Sequence, residues 1–421
     1  MSDADVIVVG AGAAGLWCAE VAARGGARVL LIEKTPRCGS KVLASGGTRC
    51  NLTTTLSAEA AARQFGPAGE RFLRHALRML PPLAVRARFE AWGVATVEAP
   101  LEKVFPASGR AIDVRDALVR AALVAGARIE LDAPVARLER AADGWRVYLA
   151  SGATRTAARL VLAAGGRSYP RTGTTGDAYA WLAELGLPLL EPVPALVPLT
   201  SPAGWVHELA GIALQQAELA LLDASGAELA RRARPVLFTH FGLSGPAAMD
   251  VSVHVARAAQ HAFVARLDLL PDLSREGLRA AFQACAARPG GAGVLSALHE
   301  AARGELPRRL LECVARQAGV AAEQRAAQVS REARHAAIEA LKGLEVPIRG
   351  TLGWDQAEVT AGGLALSAVD AGTLAVKGVP GLYVIGELLD LQGPIGGFSF
   401  QAAFATAELA GTALAARRLS T

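Results

Sequence analysis

The 421 residues predict an α/β fold built on a parallel sheet, with a middle segment of different composition, on three observations. The apolar run Val6-Ile7-Val8-Val9 ends in Gly10-Ala11-Gly12-Ala13-Ala14-Gly15, which opens an amphipathic stretch. The composition changes near Glu191-Pro192-Val193-Pro194, where short strands with turns begin. After Gly350 a strand-like pattern returns and ends in Gly381–Glu387, before a glycine turn and a last helix from Gly396 to about Ala416.

The first unit is a β-α-β start over 1–33 with a mechanical reason for each residue. Gly10 turns the chain off the strand, Gly12 lets the backbone approach a pyrophosphate, and Gly15 lets the helix pack close to the sheet. The helix N-terminus offers free N–H groups and the positive end of its dipole to the phosphates. Arg28–Ile32 reads as the second parallel strand, and Glu33 at its end is placed to accept from a ribose diol and to repel a 2′-phosphate.

A Gly/Ser/Thr-rich loop, Gly39 to Thr55, follows. Helical patterning then runs from Ala58 to Trp92, with Arg71, Arg74, Arg78, Arg86 and Arg88 at helical spacing, a pattern usual for a solvated surface. Asp113 to Ala125 reads as a helix. Strands are expected at Arg128–Leu131, Pro134–Leu138, Trp145–Leu149 and Arg159–Ala163, with a hairpin turn at Ala142-Asp143-Gly144. Leu160–Gly166 has the form of a buried parallel strand entering a glycine turn. From 191–194 to about Asp268 short strands are expected. Ser274 to Lys342 is helical, broken at Pro289-Gly290-Gly291 and at Pro307.

Hydrophobic residues make up 52% and charged ones 20%, which excludes a disordered chain. The net charge of +5 comes from dispersed Arg, with Lys at only five positions, rather than from a clustered nucleic-acid patch. Asp3 and Asp5 stand where a secretory signal needs basic residues, and no run of eighteen apolar residues is free of charge. A cytoplasmic protein is therefore expected. Cysteines at 18, 38, 50, 285 and 313 form no C-x-x-C pair and no metal-ligand spacing, so no metal is expected.

Two features point to FAD over NAD as the resident dinucleotide. No second G-x-G-x-x-G follows a mid-chain strand. The segment Tyr383–Glu387, then Gly393–Phe398, can bring a carboxylate and a helix N-terminus to a flavin, whose N1–C2=O edge gains charge on reduction. The loop Gly39–Asn51, with Ala44-Ser45-Gly46-Gly47-Thr48-Arg49-Cys50-Asn51, resembles the flavin loop of fumarate-reductase-like flavoproteins. It is more closely similar to a bacterial family of NAD(P)/FAD-dependent, aminoacetone-oxidase-like oxidoreductases, a group that includes a bile-acid-pathway reductase. Val104-Phe105-Pro106, Tyr169–Asp177, Leu237–Pro246 and Thr360–Gly363 agree with it, so the resemblance spans essentially the whole chain. Thr48 departs from it, since many relatives carry Gly there.

The resemblance implies a Rossmann-type FAD-binding domain made of both chain ends, 1–194 and 347–421, interrupted at 195–346 by an insert of β-barrel and helical parts. On the FAD reading, Gly10, Gly12, Ala14 and Gly15 hold the pyrophosphate and Glu33 the adenosine ribose. Lys34, Lys41, Gly46, Gly47 and Asn51 join the cofactor set. Val135 is expected to contact the adenine through its backbone, and Gly165 to let the chain pass close to the nucleotide. Gly386, Glu387, Ile395, Gly396, Gly397 and Phe398 line the ribityl and isoalloxazine.

His240, in a glycine-bounded loop of the insert, is the proton-donor candidate, with a hydrogen-bonded loop histidine as the plain alternative. Arg49 suits a carboxylate substrate or a flavin anion, or equally a backbone carbonyl. Cys50 has only Cys38 nearby, at a spacing unlike a flavin-linked dithiol, and reads as structural. The expected function is FAD-dependent hydride transfer between flavin N5 and a small organic substrate. Its electron partner is either NAD(P)H, binding transiently, or oxygen. An RNA-binding or tRNA-modifying flavoprotein, motivated by the arginine face, is the alternative, and a flavin redox sensor a third class. The expected partner is a small-molecule substrate, with no membrane expected and a nucleic acid disfavoured, and the oligomeric state is not legible.

Overall fold

The computed structural model describes residues 2–258, 261–289 and 291–415. Gly290 of the expected helix break and Ala416 of the last helix lie outside them. The described residues fall into two compact units, one from Met1–Ala195 and Ala357–Thr421, the other Leu196–Gln356.

In the first unit, parallel strands run in the order Arg128–Glu130, Val29–Ile32, Ala4–Val9 and Thr154–Leu162. The far edge of Thr154–Leu162 is shared. Its first half pairs antiparallel with Gly144–Leu149 of a hairpin, and its second half pairs parallel with Leu382–Val384. Val29–Ile32 is wholly buried, as strands covered on both faces must be, which explains its unbroken apolar run. Register decides where the site lies. Val9 stands opposite both Ile32 and Leu162, and Leu162 opposite Val384. Gly10, Glu33, Ala163 and Ile385 therefore leave the sheet at one carboxyl edge, where doubly wound sheets bind ligands.

Helix Ala13–Arg24 packs against the last helix, Phe398–Ala415, so closely that a Cβ at Gly411 would lie 2.6 Å from Val21 Cβ. Trp17, Phe89, Trp92 and Phe404 cluster beside this contact. Within it, Arg88 bridges Glu20 (3.2 Å) and Glu408 (3.4 Å) while its guanidinium lies 5.2 Å from the Trp17 ring centroid. Arg88 is thus a core cation rather than part of a solvated arginine face. Arg86 is likewise tied, to Glu98 at 2.5 Å. The helical region expected over 58–92 is three helices, Ala58–Arg63, Gly66–Met79 and Pro82–Ala91.

Among the described residues the second unit holds two antiparallel sheets, of five and four strands, around its own apolar core, with four helices between Arg275 and Gly343 inserted before the last strand of each sheet. Pro246–Arg257, expected as strand, is a helix. Pro246 occupies its first position, where a missing N–H costs nothing, and Ala247, Ala248, Val251 and Val255 bury one face. The expected return at 347 falls early, because Leu344–Ile348 pairs with Phe263–Asp268 and Gly350–Thr351 with Leu199–Thr200. Those strands keep the chain in the second unit to Gln356.

Candidate functional site

Gly10 takes a positive φ of 104°, and a Cβ there would lie 2.5 Å from the Ala163 carbonyl oxygen. A Cβ at Gly15 would overlap the Gly10 carbonyl oxygen, so this glycine seats the helix on the turn. Gly12 differs: a Cβ there meets no atom within 4 Å. Helix Ala13–Arg24 has no side-chain cap, so its first-turn N–H groups open onto that space. A glycine with free volume beside uncapped amides fits a pyrophosphate.

Glu33 is held at the strand end by accepting from Ala11 N (2.8 Å), Thr35 N (2.9 Å) and Thr35 Oγ1 (2.8 Å). A carboxylate oxygen can accept more than one hydrogen bond, and among the described residues Oε2 accepts only from Ala11 N, so a ribose diol can share the group. Val135 pairs with Leu149 in the hairpin, just beyond Ala133, whose N–H reaches Glu33 O. Lys34 is engaged by Asp177 and Thr175, both at 2.6 Å, and ties the strand end to helix Asp177–Glu184. Burial raises the Asp177 carboxyl, but hydrogen bonds from Lys34 and Thr175 outweigh it and hold the group below the usual aspartate range.

The C-terminal return closes on this edge. A Cβ at Gly386, which takes φ 68°, would lie 3.0 Å from Ala14 Cβ, so glycine lets the two chain ends meet there without strain. Glu387 accepts from Lys41 through both oxygens (2.7 and 2.9 Å), from Ser168 Oγ (2.9 Å) and from Thr360 N (2.9 Å). Lys41 also donates to Ser168 Oγ at 2.6 Å. Ser168 and Thr360 were not singled out from sequence, although both lie in or beside the Tyr169–Asp177 and Thr360–Gly363 stretches. Gly165 approaches Thr174, while a Cβ at its neighbour Gly166 would overlap Thr360 and come within 2.8 Å of Glu387 Oε1. Gly166 is thus the glycine that the Glu387 network requires. Tyr179, also unforeseen, buries a hydroxyl that has no hydrogen-bond partner among the described residues. Burial, with Glu387 and Asp390 near, raises that phenol.

The loop at 46–50 holds Gly46, Gly47, Thr48 and Cys50 in the left-handed region. Thr48, at φ 70°, is a β-branched residue in a glycine conformation, which marks local strain. Asn51 Oδ1 accepts from Val104 N at 3.1 Å. A Cβ at Gly397 would overlap Thr53 O and stand 3.0 Å from Asn51 Oδ1, so the turn Ile395-Gly396-Gly397-Phe398 lies directly on this loop. Thr53 Oγ1 and Gln401 Oε1 join the same two elements at 2.6 Å in the core. Arg49 is exposed, and its guanidinium stacks 4.6 Å from the Phe105 ring centroid. Burial pushes the Cys50 thiol up to about 12 and the Cys38 thiol to about 11, so neither is a ready thiolate. His240 belongs to the second unit, exposed at the turn between Val236–Thr239 and Gly242–Ser244, its ring against Phe241 at 4.9 Å.

Together the open glycine turn at an uncapped helix, the carboxylate at the end of the next strand and the glycine turn on the left-handed loop fit an FAD-binding Rossmann protein. The chain belongs to the family described as HI0933-like protein Rossmann domain, whose profile matches residues 4–413. It is 32% identical to the ribosomal RNA dihydrouridine synthase of Escherichia coli, over 96% of each chain. It is 30% identical to the 3-dehydro-bile acid delta(4,6)-reductase of Clostridium scindens, over 97% of this chain and 98% of that one. The 3-ketosteroid-delta4-(5alpha)-dehydrogenase of Rhodococcus jostii shares the fold, with a TM-score of 0.54 at 17% identity over 99% of this chain and 98% of that one. No described helix is long and apolar enough to cross a membrane.

Proposed function

We propose that the protein is an FAD-dependent reductase that saturates a ring C=C bond conjugated to a carbonyl, with NAD(P)H as reductant. One observation carries this reading. The chain is similar from end to end to a delta(4,6)-reductase and to a dihydrouridine synthase, and both names describe saturation of such a bond. Bound FAD would supply the hydride at its N5. Arg49, stacked on Phe105, is the group we assign to the substrate carbonyl oxygen, where negative charge collects as hydride reaches the β-carbon. A proton from solvent or from a general acid at the site completes the α-carbon.

The test is anaerobic. Holoprotein bleached by NADH or NADPH is mixed with a cyclic enone, and return of the flavin band with formation of the saturated ketone is expected. Arg49→Met should slow that return about 10²-fold while FAD content stays full. Return of the band with oxygen alone, and with no enone tried, would replace the reductase by an oxidase.

A second reading takes the ring to be a uracil of ribosomal RNA, and the name of the Escherichia coli relative favours it. Dihydrouridine in ribosomal RNA incubated with holoprotein and NAD(P)H separates it from a small-molecule reductase.

A further inference from the structure

Helix Ala111–Val124 buries one face, Ala111, Val114, Ala117, Leu118 and Ala122, in the core of the first unit, where it meets helix Ala13–Arg24. Its outer face carries Ile112, Asp116, Arg120 and Val124 at intervals of four, and all of them are exposed. Side chains four apart form one of the ridges along which helices pack. This ridge has apolar ends and a charged middle. Ile112 is 41% exposed, and at the other end Val124 is 83% and Leu123 51% exposed. Val124 is the most exposed of the described large apolar side chains. In the middle, Asp116 pairs with Arg115 of its own helix, and Arg120 donates to Trp92 O at 2.8 Å. Neither contact exhausts its group, since a carboxylate and a guanidinium each take several hydrogen bonds.

The order of these residues is complementary to its own reverse. Two copies of the helix laid antiparallel about a twofold axis level with Leu118 set Ile112 of each copy opposite Val124 of the other. The same axis sets Asp116 of each opposite Arg120 of the other. At 1.5 Å per residue the ridge is about 18 Å long, so both apolar ends and both charge pairs come into register at once. Parallel pairing would instead set Asp116 against Asp116 and Arg120 against Arg120. A twofold interface uses one patch on both subunits and needs this self-complementarity.

We propose that this face joins two copies of the chain through an antiparallel pair of these helices. Apolar contact between Ile112 and Val124, with Leu123 beside it, supplies the burial at each end. The two Asp116–Arg120 pairs fix orientation and register, which is what exposed charge contributes at an interface more than affinity. One helix pair is a small seam, so the dimer is concentration-dependent, with a dissociation constant on the order of tens of micromolar.

The experiment is sedimentation velocity of the FAD-loaded full-length protein at low salt, from about 1 to about 300 μM. Wild type is expected to pass from monomer to dimer over that range. I112K/V124K faces lysine with lysine at each end and should weaken association about tenfold or more. V124K should do so by less, and serves if the double variant loses FAD. D116R and R120D each set like charges opposite in the homodimer, and each should weaken association about tenfold. An equimolar mixture of the two should recover a dimer, because each variant presents the charge that the other lacks. Recovery on mixing is a result that damage to either fold would not give. FAD content and thermal midpoints confirm that each variant is folded. The proposal is overturned if wild type stays monomeric throughout, if I112K/V124K associates like wild type, or if the mixture associates no better than its components.

Discussion

Gly12 and Gly15 lie three residues apart in one turn, yet substitution to Ala should break different things. At Gly15 the new methyl overlaps the Gly10 carbonyl oxygen and sits 3.0 Å from Gly10 C and 3.3 Å from Ala163 Cβ. Relief requires the helix to lift off the strand end, a cost of about 3 kcal/mol or more, as for severe overpacking. At Gly12 the methyl meets nothing within 4 Å, and φ of −80° suits any residue. Replacing an N-cap glycine by Ala costs about 1 kcal/mol at most. The methyl instead fills the volume assigned to the pyrophosphate. Loss of one charge-assisted amide–phosphate bond, about 1.5–3 kcal/mol, corresponds to roughly 10- to 100-fold in FAD affinity. Urea unfolding of the apoproteins and FAD titration by flavin fluorescence read the two effects separately. An apo G12A as unstable as G15A, or a G12A that binds FAD like wild type, would refute the assignment of that volume.

Thr48→Gly should stabilise the apoprotein by about 1 kcal/mol, since release of left-handed strain outweighs the entropy of the added glycine; denaturant midpoints check this. Arg88→Ala should cost about 1–3 kcal/mol, because it leaves the buried Glu20 with Arg24 alone and Glu408 with the Trp17 indole N–H alone, and uncovers Trp17; thermal unfolding reads it. Asp177 titrates lower folded than the 3.8 of a free aspartate, so its contribution is complete above that pH and lost as pH falls through the lower folded value. With side chains 29% and 42% exposed, the Lys34–Asp177 pair is screened. Asp177→Asn should therefore cost under about 1 kcal/mol at pH 7, and the variant should lose less stability than wild type below pH 4.

The cradle was legible in sequence because it is local: Gly10, Gly12, Gly15 and Glu33 act within one β-α-β unit. The return of Gly386 and Glu387 was legible from a strand ending in glycine and acid. The hydrogen-bond network around Glu387 was not, because Ser168 and Thr360 reach it from distant segments and each alone is an ordinary hydroxyl. Lys34 illustrates the converse. Its place beside Glu33 is apparent, but only the fold reveals that Asp177 engages its charge. Pro246–Arg257 was misread because a short, mostly apolar stretch serves strand and buried helix alike. The arginines at 71–88 share one spacing, and only packing separates the core cation Arg88 from the exposed Arg71 and Arg78.

The central claim is that the two chain ends together form one FAD site, and an equilibrium titration of full-length apoprotein with FAD tests it most directly. The account predicts saturation at one FAD per chain, with little competition from FMN, which lacks the adenosine we assign to Glu33. Failure to saturate with FAD, or equal binding of FMN, would contradict it.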